Sequence, residues 1–496
     1  MTPQKLPPHH DFWRQRLERG REMGLESELG KKALEAGRSL DIDGVRAHVE
    51  SLVSCLSEPQ RYEELLREIG DAQVVLIGEA THGSREFYEE RANISKRLIE
   101  EKGFSLVVCE ADLVAMARVD RYVRGESLDG SAAAALSGFT HYPRWIWRNK
   151  EVEDFVEWAR RHNEKVFLQD TRNGCAVSIH GCDLHGLYKS LDVVIQYLKK
   201  RDPEAAERAK QRYSGFAQFA SDAHEYGFAT SGGHGHSCED DVTLVFAELQ
   251  DMGRPAAAAA AARDSACGHR CQDDEYFFAL QNAVVVKDAE AYYRTIYESY
   301  EAAWIIRDRH MFNALVALKE HCEELCGGVC KAVVWAHNCH VSDARATEIA
   351  WDWNQINTGQ LCKERFGDDA FSIGFSTFGG TLTAAPALGE PGRCVQLRPP
   401  APGTFECTLE QVSPARFLLD SRRAEPHDIV LMKRSIGLVY REDAEGDNYY
   451  RAKVFQQYDS MIHIGRTTAV EPLDNESASG EIEEVDETPQ TYPFGI

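Results

Sequence analysis

The stretch Val74-Val75-Leu76-Ile77-Gly78-Glu79-Ala80-Thr81-His82-Gly83 constrains this chain more than any other. Four apolar, mostly β-branched residues in a row offer no polar face to water, so they read as a strand buried on both sides. Gly78 breaks that strand, a carboxylate and an imidazole follow, and a helical pattern starts at Ser84. A doubly buried strand that hands over to a helix belongs in an α/β sheet. Such sheets bind ligands at the carboxyl ends of their strands.

The arrangement recurs. The helix after the first strand reads Ser84 to Lys102, with Ser84 as N-cap, Gly103 as a left-handed stop and Phe87, Ile94, Leu98 and Ile99 facing inward. Phe104–Cys109 is then a strand ending at Glu110. Strand, helix and strand make a βαβ unit with a right-handed crossover, which predicts Glu79 and Glu110 at the ends of neighbouring parallel strands. A helical stretch over 111–135 and a helix over 151–162 follow, then short strands at Val166–Leu168 and Val177–Ile179, the latter leading to Gly181-Cys182-Asp183. Ala332–Ala336 delivers His337-Asn338-Cys339-His340, and Phe371–Phe375 is a further strand. The expected fold is α/β, a central mostly parallel sheet with catalytic residues at strand carboxyl ends, flanked by a large helical layer.

Residues 1–45 read as an N-terminal helical extension, with helices at about 43–57 and 59–69 leading to the first strand. Residues 46–400 form a catalytic α/β domain carrying a helical insertion at about 185–325. Residues 401–472 form a smaller C-terminal α/β segment packed on the core, with short strands at Ile429–Leu431 and Ser435–Tyr440. The acidic residues 473–496 read as a disordered tail.

A formal charge of −24 over 496 residues argues against nucleic acid or an anionic membrane as partner. No window has the apolar length of a membrane span, and Met1–Lys5 starts nothing like a signal peptide. The 14 cysteines are scattered, as in a cytoplasmic protein with reduced thiols. Cys322, Cys326 and Cys330, and the Cys267-Gly-His269-Arg-Cys271 group, lack paired zinc spacing and read as structural. The loop with His234 and His236 reads as solvated, and Ala256–Ala262 as low-complexity helix or linker.

The usual hydrolase signatures are missing. Gly374-Phe375-Ser376-Thr377-Phe378 lacks the closing glycine of a nucleophile elbow, His224-Glu225 does not complete a zinc-protease motif, and no phosphate-binding glycine loop occurs. Glu79-x-x-His82, Glu110 and His337-x-x-His340 remain, each at a strand end. Two chemistries compete for them. A histidine held by a carboxylate can take a proton from water that attacks an ester; alternatively Glu79, His82, Glu110, His337 and His340 can ligate a divalent metal that generates hydroxide. Spacing does not separate the two. Trp145 and Trp147, beside Arg144 and Arg148, either line a pocket or wedge helix layers together.

The motifs Gly78–Gly83, Arg91, Glu110, Trp145–Asn149, Gly181–Asp183, Tyr292–Arg294, Arg307–Met311 and Trp335–His340, with Ser435–Arg441 and Ile462–Arg466, resemble the erythromycin esterase family in order, from about residue 50 to 475. The resemblance implies hydrolysis of a lactone-type ester, a small-molecule substrate, without a serine nucleophile and without a cofactor. It implies His82 as general base and Glu79 as its support, with Arg91, Glu110 and His337 also catalytic and Arg91 a candidate for the oxyanion. His340, Asp183, Trp145, Trp147, Arg307 and Asp308 are then supporting or substrate-binding. A metal-dependent hydrolase and a non-catalytic binding homologue are the alternatives, and the sequence does not report oligomeric state.

Overall fold

The computed structural model describes residues 28–39, 42–56, 62–169, 176–219, 222–231, 235–253, 275–412, 415–424 and 429–474. The alanine run, the Cys267 group, His234 and residues 475–496 of the expected tail lie outside the described residues, as do residues 1–27 of the extension.

Eleven strands are described: β1 (Val53–Cys55), β2 (Val74–Ile77), β3 (Leu106–Asp112), β4 (Ser178–Asp183), β5 (Ala332–Trp335), β6 (Ala370–Ala384), β7 (Arg393–Leu397), β8 (Arg416–Asp420), β9 (Val430–Arg434), β10 (Tyr449–Lys453) and β11 (Ser460–Thr467). The central sheet runs β1-β8-β11-β6-β2-β5-β3-β4, with β7 on β6 and β9 and β10 forming a separate hairpin. From β11 to β4 every neighbouring pair is parallel. The fold is therefore α/β with a mostly parallel sheet.

Strand composition sets the layers. In β2, Val75 and Ile77 pack on one face with Phe87, Ile94 and Leu98 of helix Arg85–Lys102 and Phe155 of helix Lys150–Gln169. Val74 and Leu76 pack on the other face with Met311, Leu315 and Leu318 of helix Tyr300–Cys326. Both faces are covered, which is why β2 and β5 are apolar at every position. A further helical layer, from helix Leu187–Arg201 to helix Glu275–Ile296, encloses its own apolar core. Among the described residues no helix is long and apolar enough to cross a membrane.

The structure corrects several local expectations. β2 and β3 are not neighbours: β5 lies between them and pairs in parallel with both. Its four buried apolar residues suit the centre of a sheet, and a pairing across more than two hundred residues leaves no trace in local periodicity. Val166–Leu168 is the last part of helix Lys150–Gln169, where Leu168 is 85% exposed; a short apolar run at a helix end mimics a strand. The helix expected to reach residue 57 stops at Leu52, and β1 follows. Ser435–Tyr440 contributes only isolated bridges, Ile436 to Thr81 and Val439 to Ala385.

Candidate functional site

The loop after β2 is held by close backbone approaches. A side chain at Gly83 would place its Cβ 1.8 Å from the Thr383 carbonyl oxygen of β6, and one at Gly78 would meet Asn338 Oδ1 at 2.2 Å. Thr383 N and Val470 N both donate to Gly83 O, and Asn338 bridges to both Phe375 N and Phe375 O. Glu79 and His82 thus project from a fixed turn rather than a loose loop.

Glu79 Oε1 lies 2.8 Å from His82 Nδ1, and Oε2 lies 2.7 Å from Arg91 Nη2. Arg91, on the helix that follows, is stacked over the Tyr88 and Trp335 rings at 4.4 and 5.2 Å. Tyr88 Oη donates to the His82 carbonyl at 2.7 Å. A carboxylate on Nδ1 keeps the ring proton there and leaves the lone pair on Nε2. That Nε2 is buried and has no hydrogen-bond partner among the described residues.

A second ionic cluster stands beside it. Arg307 forks onto Asp183, with Nε 3.2 Å from Oδ1 and Nη2 2.8 Å from Oδ2, and Nη2 also lies 2.8 Å from Glu110 Oε1. His340 bridges Asp308 and Glu110: Nδ1 is 3.0 Å from both Asp308 oxygens and Nε2 is 3.3 Å from Glu110 Oε1. Burial alone would raise the Glu110 carboxyl, but His340 and Arg307 outweigh it and hold it well below the ordinary range. Burial would likewise lower His340, and Asp308 with Glu110 outweighs that and holds it well above. For Asp183, Arg307 overcomes burial and lowers the carboxyl.

His337 lies 4.8 Å, ring to ring, from His82. Both its nitrogens are occupied: Nε2 donates to Ile436 O at 3.2 Å and Nδ1 accepts from Cys339 N at 3.4 Å, capping helix Asn338–Val341. Burial, then the neighbouring His82, pushes it well below its ordinary value. His337 is a neutral, locked imidazole.

The structure therefore gathers Glu79, His82, Arg91, Glu110, Asp183, Arg307, His337 and His340, with Asp308 behind His340. A cavity of about 80 Å³ is lined by His82, Glu79, Arg91, Glu110, Asp183 and Arg307, and also by Phe139, Tyr142 and Trp147. The two tryptophans part company. Trp147 lines the cavity and stacks on Phe139, whereas Trp145 is a core wedge that fits only because residue 392 is glycine, whose added Cβ would lie 2.6 Å from Trp145 Nε1. His185, Asp112 and Lys189 also line the cavity and escaped the sequence reading. His185 carried a usable signal, an imidazole two residues after the strand-end acid Asp183. A larger cavity of about 670 Å³ at the outer edge of β4 shares Asp183 and Lys189 with this one.

The residues do not suit a metal. Glu79 is shared by an arginine and a histidine, Glu110 likewise, and His337 has no lone pair to give. Two buried guanidinium groups already supply the positive charge. Among the described residues no three His, Cys, Asp or Glu side chains gather as a ligand set; Cys322 and Cys330 are buried and Cys326 is exposed.

Comparison with known proteins agrees with this architecture. The chain is 22% identical to erythromycin esterase type II of Escherichia coli over 432 residues, 83% of this chain and 93% of that protein. It is 20% identical to the putative hydrolase YbfO of Bacillus subtilis strain 168, over 75% of this chain and 80% of that one. Its fold matches a Bacillus cereus protein with a TM-score of 0.67 at 18% identity, covering 88% of this chain and all of that one. It also matches a mutant of the erythromycin esterase EreC in its open conformation, with a TM-score of 0.60 at 15% identity, covering 84% and 96%. The erythromycin esterase family model matches residues 99–467, a stretch that begins after Glu79, His82 and Arg91 and takes in Glu110, Asp183, Arg307, His337 and His340. By that match, which spans most of its length, the chain belongs to the erythromycin esterase family.

Proposed function

We propose that this hydrolase opens a cyclic or bulky carboxylic ester of the macrolide-lactone type, with His82 as the base that activates water. One observation carries the reading: His82 is fixed through Nδ1 by the Glu79–Arg91 pair, and its buried Nε2, in a cavity lined by charged groups, has no hydrogen-bond partner among the described residues. The esterase name of the E. coli relative supports the substrate class.

In this reading Nε2 takes a proton from water and the resulting hydroxide adds to the ester carbonyl. The imidazolium is stabilised by Glu79 and returns its proton to the departing alkoxide, leaving acid and alcohol. No serine is acylated. Glu110, Arg307, Asp183, His340 and Asp308 are an ion-paired wall rather than proton carriers, because each faces a buried opposite charge. The cavity takes the ester group and its water, and the bulk of a large substrate lies beyond it.

The test is mass-spectrometric hydrolysis of a panel of macrolides and simpler esters. The wild type should add one water to at least one substrate. His82→Ala should lose about 10²–10⁴-fold or more in turnover while keeping its circular dichroism and melting profile. Undiminished turnover in that variant would sink the assignment.

A further inference from the structure

His185 and His141 both line the cavity outside the motifs and the ionic wall, and of the two His185 is the buried one. The chain turns sharply after β4: Leu184 N is capped by Asp183 Oδ1 at 2.8 Å, and Gly186 takes a φ of +104°. A side chain at Gly186 would meet Asp112 Oδ2 at 2.6 Å, so only glycine lets the turn close against that carboxylate. The turn leaves His185 buried at 8% exposure and lining the same cavity as His82.

Its ring is oriented from behind. Nδ1 lies 3.4 Å from Tyr293 Oη, and the ring packs edge-on to Tyr292 with centroids 6.0 Å apart. Nε2 is buried without a hydrogen-bond partner among the described residues. Asp183 Oδ2, at 3.8 Å, is too far for a bond but near enough to favour an N–H over a lone pair at Nε2. The Tyr293 hydroxyl can donate to Nδ1 in that tautomer. The Asp183 carboxylate thus selects a ring proton on Nε2, the opposite tautomer to that of His82.

We propose that His185 is a catalytic hydrogen-bond donor: its Nε2–H binds the ester oxygen that gains negative charge as water adds. The proposal rests on the hydrolase reading above. It adds a division of labour between two imidazoles of opposite tautomer, one accepting the proton from water and one donating a hydrogen bond without being protonated. Burial pushes the His185 imidazolium down to about 4, so the ring stays a neutral donor at assay pH. Arg307, fully engaged by Asp183 and Glu110, keeps Asp183 from repelling the developing charge.

The experiment has a kinetic and a spectroscopic arm. On an ester that the wild type hydrolyses, His185→Phe keeps the ring and removes the donor, and kcat should fall about 10²–10³-fold with KM little changed, as for loss of one oxyanion donor. His185→Gln places an amide N–H near the same point and should recover most of that loss, with the shape of the pH–rate profile unaltered. A folded His185→Phe variant with wild-type kcat, or a Gln variant as impaired as Phe, overturns the proposal. Nitrogen-15 imidazole spectra of the wild-type protein, with His185 assigned by its absence in His185→Gln, should show a neutral Nε2–H ring down to about pH 5. An Nδ1–H ring or a charged one overturns it independently of any substrate. If no ester in the panel is hydrolysed, the hydrolase reading fails in the kinetic arm while the spectra still decide the tautomer.

Discussion

Glu79 has two buried clients, and they make different demands. His82 needs a negative charge when it becomes imidazolium, and Arg91, 1% exposed, needs one at all times. Glu79→Gln preserves an acceptor for Nδ1–H but supplies charge to neither. Turnover should fall at least 100-fold, within the roughly 10²–10⁴-fold range of general-base catalysis, and the unpaired Arg91 should cost about 3–5 kcal/mol of stability. Kinetics and urea unfolding on one preparation separate the two losses. Equal turnover to wild type would remove Glu79 from the mechanism. The residue pairs that lie close in sequence were the legible ones: Glu79 and His82 are three positions apart on one turn. The partners of Glu110 are Arg307 and His340, about two hundred residues away, and no spacing rule joins them. His337 read as a reactive group because it ends a strand as Glu79-x-x-His82 and Glu110 do and because the family resemblance implies it, and only the contacts with Ile436 and Cys339 show both nitrogens spent.

Among the elements, buried parallel strands announced themselves by unbroken apolar runs, which is why β2, β3 and β5 could be read from the chain. Their order could not, because β5 returns to the sheet from beyond the helical layer to separate β2 from β3. Nor could the depth at which the loop after β2 seats on β6. Gly83 looks like an ordinary turn residue, yet it is there for space. Gly83→Ala would drive a Cβ into the backbone of Thr383, a contact that no side-chain pattern announces. We expect the loop to lift, costing about 1–3 kcal/mol as for overpacked sites and moving His82 enough to cost turnover as well. Thermal unfolding and kcat measure both, and an Ala variant that melts with the wild type would show that the loop carries no such constraint.

Over the whole molecule, the buried histidines set an acid limit on stability distinct from that of the carboxylates. Burial lowers His180, His185, His337 and His463 in the folded state. Below the ordinary value of 6.5 the unfolded chain takes up these protons and the folded chain does not, so stability falls with falling pH. The slope is up to about 1.4 kcal/mol per pH unit for each such group. Glu110 and Asp183 act in the same direction but later: their lowered values keep their contribution intact above the ordinary carboxylate range, and it is lost as pH falls through the folded values. His340 works in reverse. Its raised value gives a contribution that is complete below 6.5 and is lost only as pH rises through a value well above that. Glu68, Glu151, Glu348 and Glu406 pull the other way: burial raises their carboxyls, Glu68 to about 7, so the fold holds their protons and gains stability as pH falls. A variant isolates the imidazole share. Between pH 7.5 and pH 5 the urea stability of the wild type should fall more steeply than that of His185→Phe, by up to about one proton's worth of slope, whatever the substitution does to the midpoint at pH 7.5. Equal slopes in the two proteins would show that this imidazole is protonated as readily inside the fold as outside it.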